Sequence, residues 1–377
     1  MVLVAGQRAG GQRARESRGA GELTLQHPRS HACALRAKVL LLPVSACATL
    51  PAMVDPPLGA TGPEDGTAVF DRLAQREFVI VSGKGGVGRT TMAAVIGLRL
   101  AARGRRVLVA TMGHDDRLAW MLGESTLSDT PTQVGEGLSI QRLIPQTCLR
   151  EYGTLVIGSA RVASVVFDNK VVRSLLHAMP GLDDFAVVGK AWHEAARGDD
   201  YDVVIFDGPA TGHILYTLGL PNTLLQALPP GPLTKEARLM QNTLADSART
   251  EAVLVGLPER WPLTELAELG SAMRERIGVA RQTVIVNGLW PSAGPSLGEA
   301  VAAAAPQSAL HYLAELDAVG QGQRHEIASW LAGGPAQGLG VDGVLAVPWV
   351  WDGPCDRAAL ERLGELIDRD TPSVEVG

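Results

Sequence analysis

The sequence predicts an α/β fold, a mostly parallel sheet flanked by helices with an inserted helical subdomain. Short apolar runs of strand length recur along the chain and read as buried strands. Segments between them carry apolar residues at helical spacing. The first apolar run leads through a glycine-rich turn into a helix and then into a second run, which is the β–loop–α–β unit of a parallel sheet.

Taken in order, Phe78-Val79-Ile80-Val81 is the first strand. The segment TTMAAVIGLRLAARG is a helix rich in Ala, Met and Leu that stops at Gly104. Val107-Leu108-Val109-Ala110 is the second strand. Residues 118–200 read as mostly helical, with ARVASVVFDNKVVRSLLHAM at helical spacing, and form the inserted subdomain. Val203-Val204-Ile205-Phe206 is a strand ending at Asp207, and Ala252-Val253-Leu254-Val255 is another. Leu263, Leu266, Leu269, Met273 and Ile277 line one helical face. Thr283-Val284-Ile285-Val286 ends at Asn287, residues 295–340 read as helices broken by Gly and Pro, and Val344-Leu345-Ala346-Val347 is a late strand. Leu360, Leu363 and Ile367 mark a final helix. No internal repeat is visible.

Composition narrows the function classes. Apolar residues make up 46% of the chain, enough for a sizeable core. A net charge of -6 gives no reason to expect nucleic acid as the main partner. No apolar run reaches 18 residues, so stable membrane insertion is not expected. Cys33, Cys47, Cys148 and Cys355 form no C-x-x-C, which argues against a zinc clip, a redox pair or a disulfide framework, and a reducing cytoplasm is the simplest compartment.

Residues 1–52 differ from the rest. They hold Arg8, Arg13, Arg15, Arg18, Arg29, Arg36 and Lys38 against Glu16 and Glu22, while the chain as a whole is acidic. Residues 1–66 are therefore expected to be a disordered leader, and 67–377 the folded domain. The stretch RAKVLLLPVSACATLPAM has the outline of a signal-peptide core, yet a long unpatterned segment precedes it, which secretory signals lack. The favoured reading places the true start at Met53.

The chemistry concentrates in Gly83-Lys84-Gly85-Gly86-Val87-Gly88-Arg89-Thr90. Glycines at this spacing let backbone N–H groups curl around phosphate oxygens, and the helix that starts there, with Thr91 in its first turn, adds its positive dipole end. The pattern is a P-loop of an NTPase, and ATP with Mg²⁺ is the expected pair of ligands. Thr90 supplies a hydroxyl for the metal. Asp207, at the end of a buried strand, is placed to hold the Mg²⁺ shell. Gly212 of Asp207-Gly208-Pro209-Ala210-Thr211-Gly212-His213 offers a backbone N–H to the γ-phosphate. Lys84 is the second-position lysine of the deviant Walker A loop, and Arg89 stands where the ordinary P-loop lysine belongs.

The chain resembles the ArsA-type anion-transporting ATPase family, which includes the arsenite-pump ATPase and the ATPase that targets tail-anchored membrane proteins. That family pairs G-K-G-G-V-G-K-[ST] with D-T-A-P-T-G-H, and the second reads here as Asp207 to His213, followed by ILYTLGLP. Its P-G-x-D-E reads as Pro180-Gly181-Leu182-Asp183-Asp184. LPERWPLTELAEL resembles its L-P-E-x-x-P-x-x-E-T segment, and VIVNGLWP its V-V-N-x-x-x-P. The resemblance covers about residues 77–370. It implies that Lys84 reaches across a dimer to the partner's nucleotide and that Asn287 contacts adenine.

Three departures stand out. Arg89 replaces the usual lysine. The first switch, normally D-P-A with an Asp that orients the attacking water, reads ATMGHDD, so Asp115 or Asp116 would have to serve from a shifted loop. The cysteines that bind zinc or arsenite in family branches are missing. The expected function is a slow ATPase that couples nucleotide state to the opening and closing of a homodimer, or of a heterodimer with a paralogue. The alternatives are a non-catalytic ATP-binding partner subunit and a ParA/MinD-like positioning ATPase. The closing RDTPSVEVG is not the basic amphipathic helix of MinD-like proteins.

Overall fold

A computed structural model describes residues 66–113, 115–157, 181–290, 307–333, 336, 339, 344–350, 353 and 356–370. The leader, the Met53 start, the 160–179 helix and residues 291–306 lie outside these. All described residues belong to the unit Val54–Gly377.

The described chain opens with α1 (Gly66–Leu73), followed by β1 (Phe78–Gly83), α2 (Arg89–Ala101), β2 (Val107–Thr111) and α3 (Arg117–Met121). Then come β3 (Thr132–Gly135), β4 (Leu138–Arg142), α4 (Pro145–Ile157), α5 (Leu182–Ala196), β5 (Val203–Asp207), α6 (Thr211–Ala227) and α7 (Pro232–Ala245). β6 (Thr250–Gly256), α8 (Arg260–Ala272), β7 (Gln282–Leu289), α9 (Gln307–Ala332), β8 (Val344–Pro348) and α10 (Arg357–Asp370) complete it.

The strands form one eight-stranded sheet in the order β3-β4-β2-β5-β1-β6-β7-β8. Every neighbouring pair is parallel except β3 with β4. β1, β2, β5 and β6 are buried along their whole length, as strands covered on both faces must be. Alternate side chains therefore feed two cores. Phe78, Ile80, Val204 and Phe206 pack against Phe185, Trp192, Leu218, Met240 and Leu263 of α5, α6, α7 and α8. Val79, Val81, Val203 and Ile205 pack against Phe70, Leu73, Ile96, Leu100, Leu118 and Leu363 of α1, α2, α3 and α10.

Two expectations change. Residues 118–200, read as mostly helical, also hold two strands: β3 and β4 extend the sheet, with β4 parallel to β2. Both strands are short and polar, and only the alternation of buried Leu138 and Ile140 betrays β4. The long helix α9 runs unbroken through Gly320 and Gly322, where breaks were expected. Two interior glycines cost roughly 1 kcal/mol each, which burial of Ile327, Trp330 and Leu331 offsets. The face begun at Leu263 continues through Met273 and Ile277, but as a π-turn over Met273–Ile277 that ends at Gly278.

Candidate nucleotide site

The site lies at the carboxyl ends of the central strands, where ligands bind in open α/β sheets. β1 ends at Gly83 and α2 begins at Arg89, with the glycine-rich loop between them. Gly88 has φ +96°, and a Cβ there would lie 2.3 Å from Asn287 Nδ2. Only glycine fits both the backbone and the space. Asn287 Nδ2 donates to Val87 O at 2.8 Å, so the end of β7 braces the loop. On the opposite side, a Cβ at Gly85 or Gly86 would meet nothing within 4 Å. The concave face of the loop is open, and Gly88 gives α2 no side-chain cap. The first-turn N–H groups of Arg89, Thr90 and Thr91 are thus available to an anion. The Thr91 hydroxyl itself turns to Met121 Sδ, 3.9 Å away.

Beside the loop, two hydroxyls converge on one carboxylate oxygen. Thr90 Oγ1 donates to Asp207 Oδ2 at 2.7 Å, and Thr111 Oγ1 donates to the same atom at 3.0 Å. Thr111 and Asp207 are register partners at the ends of β2 and β5. Asp207 is only 4% exposed. Burial pushes its carboxyl above the usual range, the Asp115 carboxylate adds to that, and the Thr90 and Thr111 hydroxyls and the Arg89 charge oppose it. A buried carboxylate held by hydroxyls under an open phosphate loop fits a hard divalent cation, which takes oxygen ligands. No group of three or more His, Cys, Asp or Glu among the described residues is arranged to hold a metal. One carboxylate, one hydroxyl and substrate phosphates are the Mg²⁺ pattern.

The remaining residues separate. Arg89 Nη1 donates to Gly208 O, tying the phosphate loop to the Asp207–His213 segment. Lys84 Nζ forms an ion pair with Glu265 Oε1 of α8 at 2.7 Å and stays half-exposed. Asp116 Oδ1 accepts from Leu127 N at 2.8 Å and from Arg142 Nη2 at 2.6 Å, which spends it on bracing the segment after β2. Asp115 is exposed, bonds Arg117 N at 3.3 Å, and lies near enough to act on Asp207. Gly212 sits in the first turn of α6, with open space at its Cα. His213 Nε2 lies 3.3 Å from Asp184 Oδ1, so α6 touches the start of α5 directly. Sequence reading missed Thr111 and Glu265. Thr111 was findable, because it ends a strand inside the ATMGHDD segment that stands for the first switch; Glu265 was not, since only the fold brings α8 to the loop.

Comparison with known proteins accords with this geometry. Residues 76–230, which hold the loop, Thr111 and Asp207–His213, match the anion-transporting ATPase family. Over that stretch the chain is similar to the ArsA-type ATPases. An arsenical pump-driving ATPase of Escherichia coli is 27% identical over 265 residues, 64% of this chain and 44% of that protein. The ATPase GET3 of Kluyveromyces lactis is 30% identical over 189 residues, 47% of this chain and 54% of that protein. An uncharacterized protein of Streptomyces coelicolor is 31% identical over 209 residues, 54% of this chain and 53% of that protein. The chain thus spans about half the length of these curated relatives. Against the motifs of those ATPases the departures at Arg89 and at Met112-Gly113, which stand in ATMGHDD where the first-switch Asp belongs, remain, and no helix among the described residues is long and apolar enough to cross a membrane.

Proposed function

We propose that this chain binds ATP with Mg²⁺ and hydrolyses it slowly, using nucleotide state to close and open a dimer. The observation that carries the reading is the convergence of Thr90 and Thr111 on Asp207 beneath the open face of the glycine loop. When bound, the metal neutralises charge on the β- and γ-phosphates. Thr90 and Asp207 hold it, the loop N–H groups and α2 bind the phosphates, and Gly212 N–H meets the γ-phosphate as α6 shifts. Of the two candidates for orienting water, Asp115 is favoured over Asp116, because Asp116 is already engaged by Leu127 and Arg142. Lys84 leaves Glu265 to reach the partner's nucleotide.

Slow turnover follows from Arg89. Its fork keeps positive charge near the phosphates but cannot copy an ammonium's close approach to the bridging oxygen. Losing one preorganised electrostatic contact costs ~3 kcal/mol, a hundredfold in rate. A steady-state ATPase assay tests this: Arg89→Lys should raise kcat at least tenfold, and Asp115→Asn should lower it while Asp116→Asn mainly lowers stability. A wild-type rate that Arg89→Lys fails to raise removes arginine as the handicap. No hydrolysis in any variant, with ATP still bound, favours the second reading, a non-catalytic partner subunit. That reading has its own support in the absence of a carboxylate at Met112-Gly113.

A further inference from the structure

Arg89 departs from the lysine of related loops, and its contacts give it a use beyond a handicap in rate. It is the first residue of α2, directly after Gly88. Its Nη1 donates to Gly208 O, and Gly208 N donates to Val81 O at 3.1 Å. Gly208 is buried and is held through both backbone groups, by α2 on one side and by β1 on the other. Only Pro209 and Ala210 separate it from α6, and Ala210 gives that helix no side-chain cap. The start of α6 is thus fastened to the phosphate loop chiefly through one arginine.

That arginine is not used up. A guanidinium has five N–H donors, and the bond to Gly208 O takes one. Its partner is a carbonyl, which satisfies a donor without neutralising the charge. The residue is half-buried, and its charge is felt by the Asp207 carboxylate one residue before Gly208. Thr90, the next residue of α2, bonds that same carboxylate at 2.7 Å. Arg89 therefore stands between the end of the site that would take the metal and terminal phosphates and the segment that leads into α6. A lysine could not serve both sides in this way. Its three donors radiate from one atom, so Gly208 O and a phosphate oxygen would compete for one position. The arginine fork is planar and rigid and presents separate edges, each suited to oxygen acceptors.

We propose that Arg89 couples the terminal phosphate to the Gly208–His213 segment. One edge of the guanidinium keeps Gly208 O and another takes a γ-phosphate oxygen, so the segment tightens with ATP and slackens with ADP. The inference rests on the ATP reading above. A contact already made in the ground state lowers the ground state as well as the transition state, so this coupling and slow turnover share one cause.

The test uses the full chain with Mg²⁺ and either ADP or adenylyl imidodiphosphate, a non-hydrolysable ATP analogue. Isothermal titration gives the affinities. Amide hydrogen exchange, resolved with overlapping peptides, reads Gly208 N–H, which is bonded to β1 rather than to α6. In wild type the analogue should slow Gly208 exchange about tenfold relative to ADP, the worth of one hydrogen bond to a charged group. Arg89→Lys should bind ADP as wild type does, bind the analogue about tenfold more weakly, lose the difference in Gly208 exchange, and raise KM and kcat together. Arg89→Gln, which keeps an N–H donor and drops the charge, should lose the difference as well. Thermal melts establish that each variant is folded. Equal Gly208 exchange with ADP and analogue in wild type overturns the coupling and leaves the ATP reading standing. A difference that survives in both variants also overturns it, because Arg89 would then merely fasten the loop. Failure of wild type to bind either nucleotide overturns the ATP reading itself.

Discussion

At the residue scale, Asp207 shows how a site trades stability for ligand. Its carboxyl is raised above the ordinary value because burial disfavours the charged form. The folded chain therefore holds the proton more tightly than the unfolded chain. Stability is lost as pH rises from the ordinary value of 3.8 through the folded value, and at neutral pH the ionised group is a standing cost. Asp207→Asn keeps an acceptor for Thr90 and Thr111 and removes that cost. The variant should melt about 2 °C or more above wild type at pH 7 without ligand, and the gain should disappear at a pH below 3.8. On the proposed function, ATP with Mg²⁺ should raise the melting temperature of the wild type and not that of the variant. A lower melting temperature at pH 7 would mean that the negative charge itself holds the β2–β5–α2 junction together. Cys148 lies at the other extreme: burial pushes its thiol up to about 12, so it stays protonated and unreactive. Iodoacetamide should spare the Cys148 peptide in the native protein and modify it in urea.

At the scale of elements, the end of the sheet opposite the site carries a charge cluster that fastens α1. Glu251 of β6 is fully buried, with Arg72 Nε at 3.0 Å, Arg76 Nε at 3.1 Å and Thr283 Oγ1 at 2.7 Å. Arg281 Nε stands at 3.9 Å as well, so Glu251→Gln leaves three arginines facing a neutral amide, and breaking a buried pair costs ~3–5 kcal/mol. The urea midpoint should fall accordingly; a loss under ~1 kcal/mol would show that water reaches the arginines. No feature of the sequence announced this cluster, because a Glu in an otherwise apolar strand and two arginines 175 or more positions away are linked only by the fold. β1, β2 and β5 to β8 were legible, since each reads as a continuous apolar run, as parallel strands covered on both faces do. β3 and β4 were not: β3 is an edge strand and β4 its neighbour, β4 alternates buried and half-buried residues, and Thr-Gln-Val-Gly has almost no apolar residue. The candidate site was legible in its backbone, where glycines and the strand-end Asp207 have no other use at that spacing. Its side-chain partnerships, Thr111 with Asp207, Lys84 with Glu265 and Asn287 with Val87, were not.

At the scale of the molecule, the exposed Lys84–Glu265 ion pair is worth little in water, on the order of 0–1 kcal/mol, so it parks the lysine without trapping it. If Lys84 completes a neighbour's site, Lys84→Ala should leave ATP affinity nearly intact while weakening the nucleotide-dependent dimer and its hydrolysis. Light scattering at micromolar protein with ATP and Mg²⁺ decides: a wild type that remains monomeric, together with an inert Lys84→Ala change, removes the dimer. The order of the sheet has a consequence for biosynthesis. β1 is made first among the strands, yet its neighbours are β5 and β6. A ribosome must therefore add more than a hundred residues before the first neighbour can dock, and must pass Gly256 before the second is complete. Until then the apolar Phe78–Val81 segment has no sheet to enter, contacts of such long sequence separation form slowly, and apolar segments left waiting are prone to misassociation.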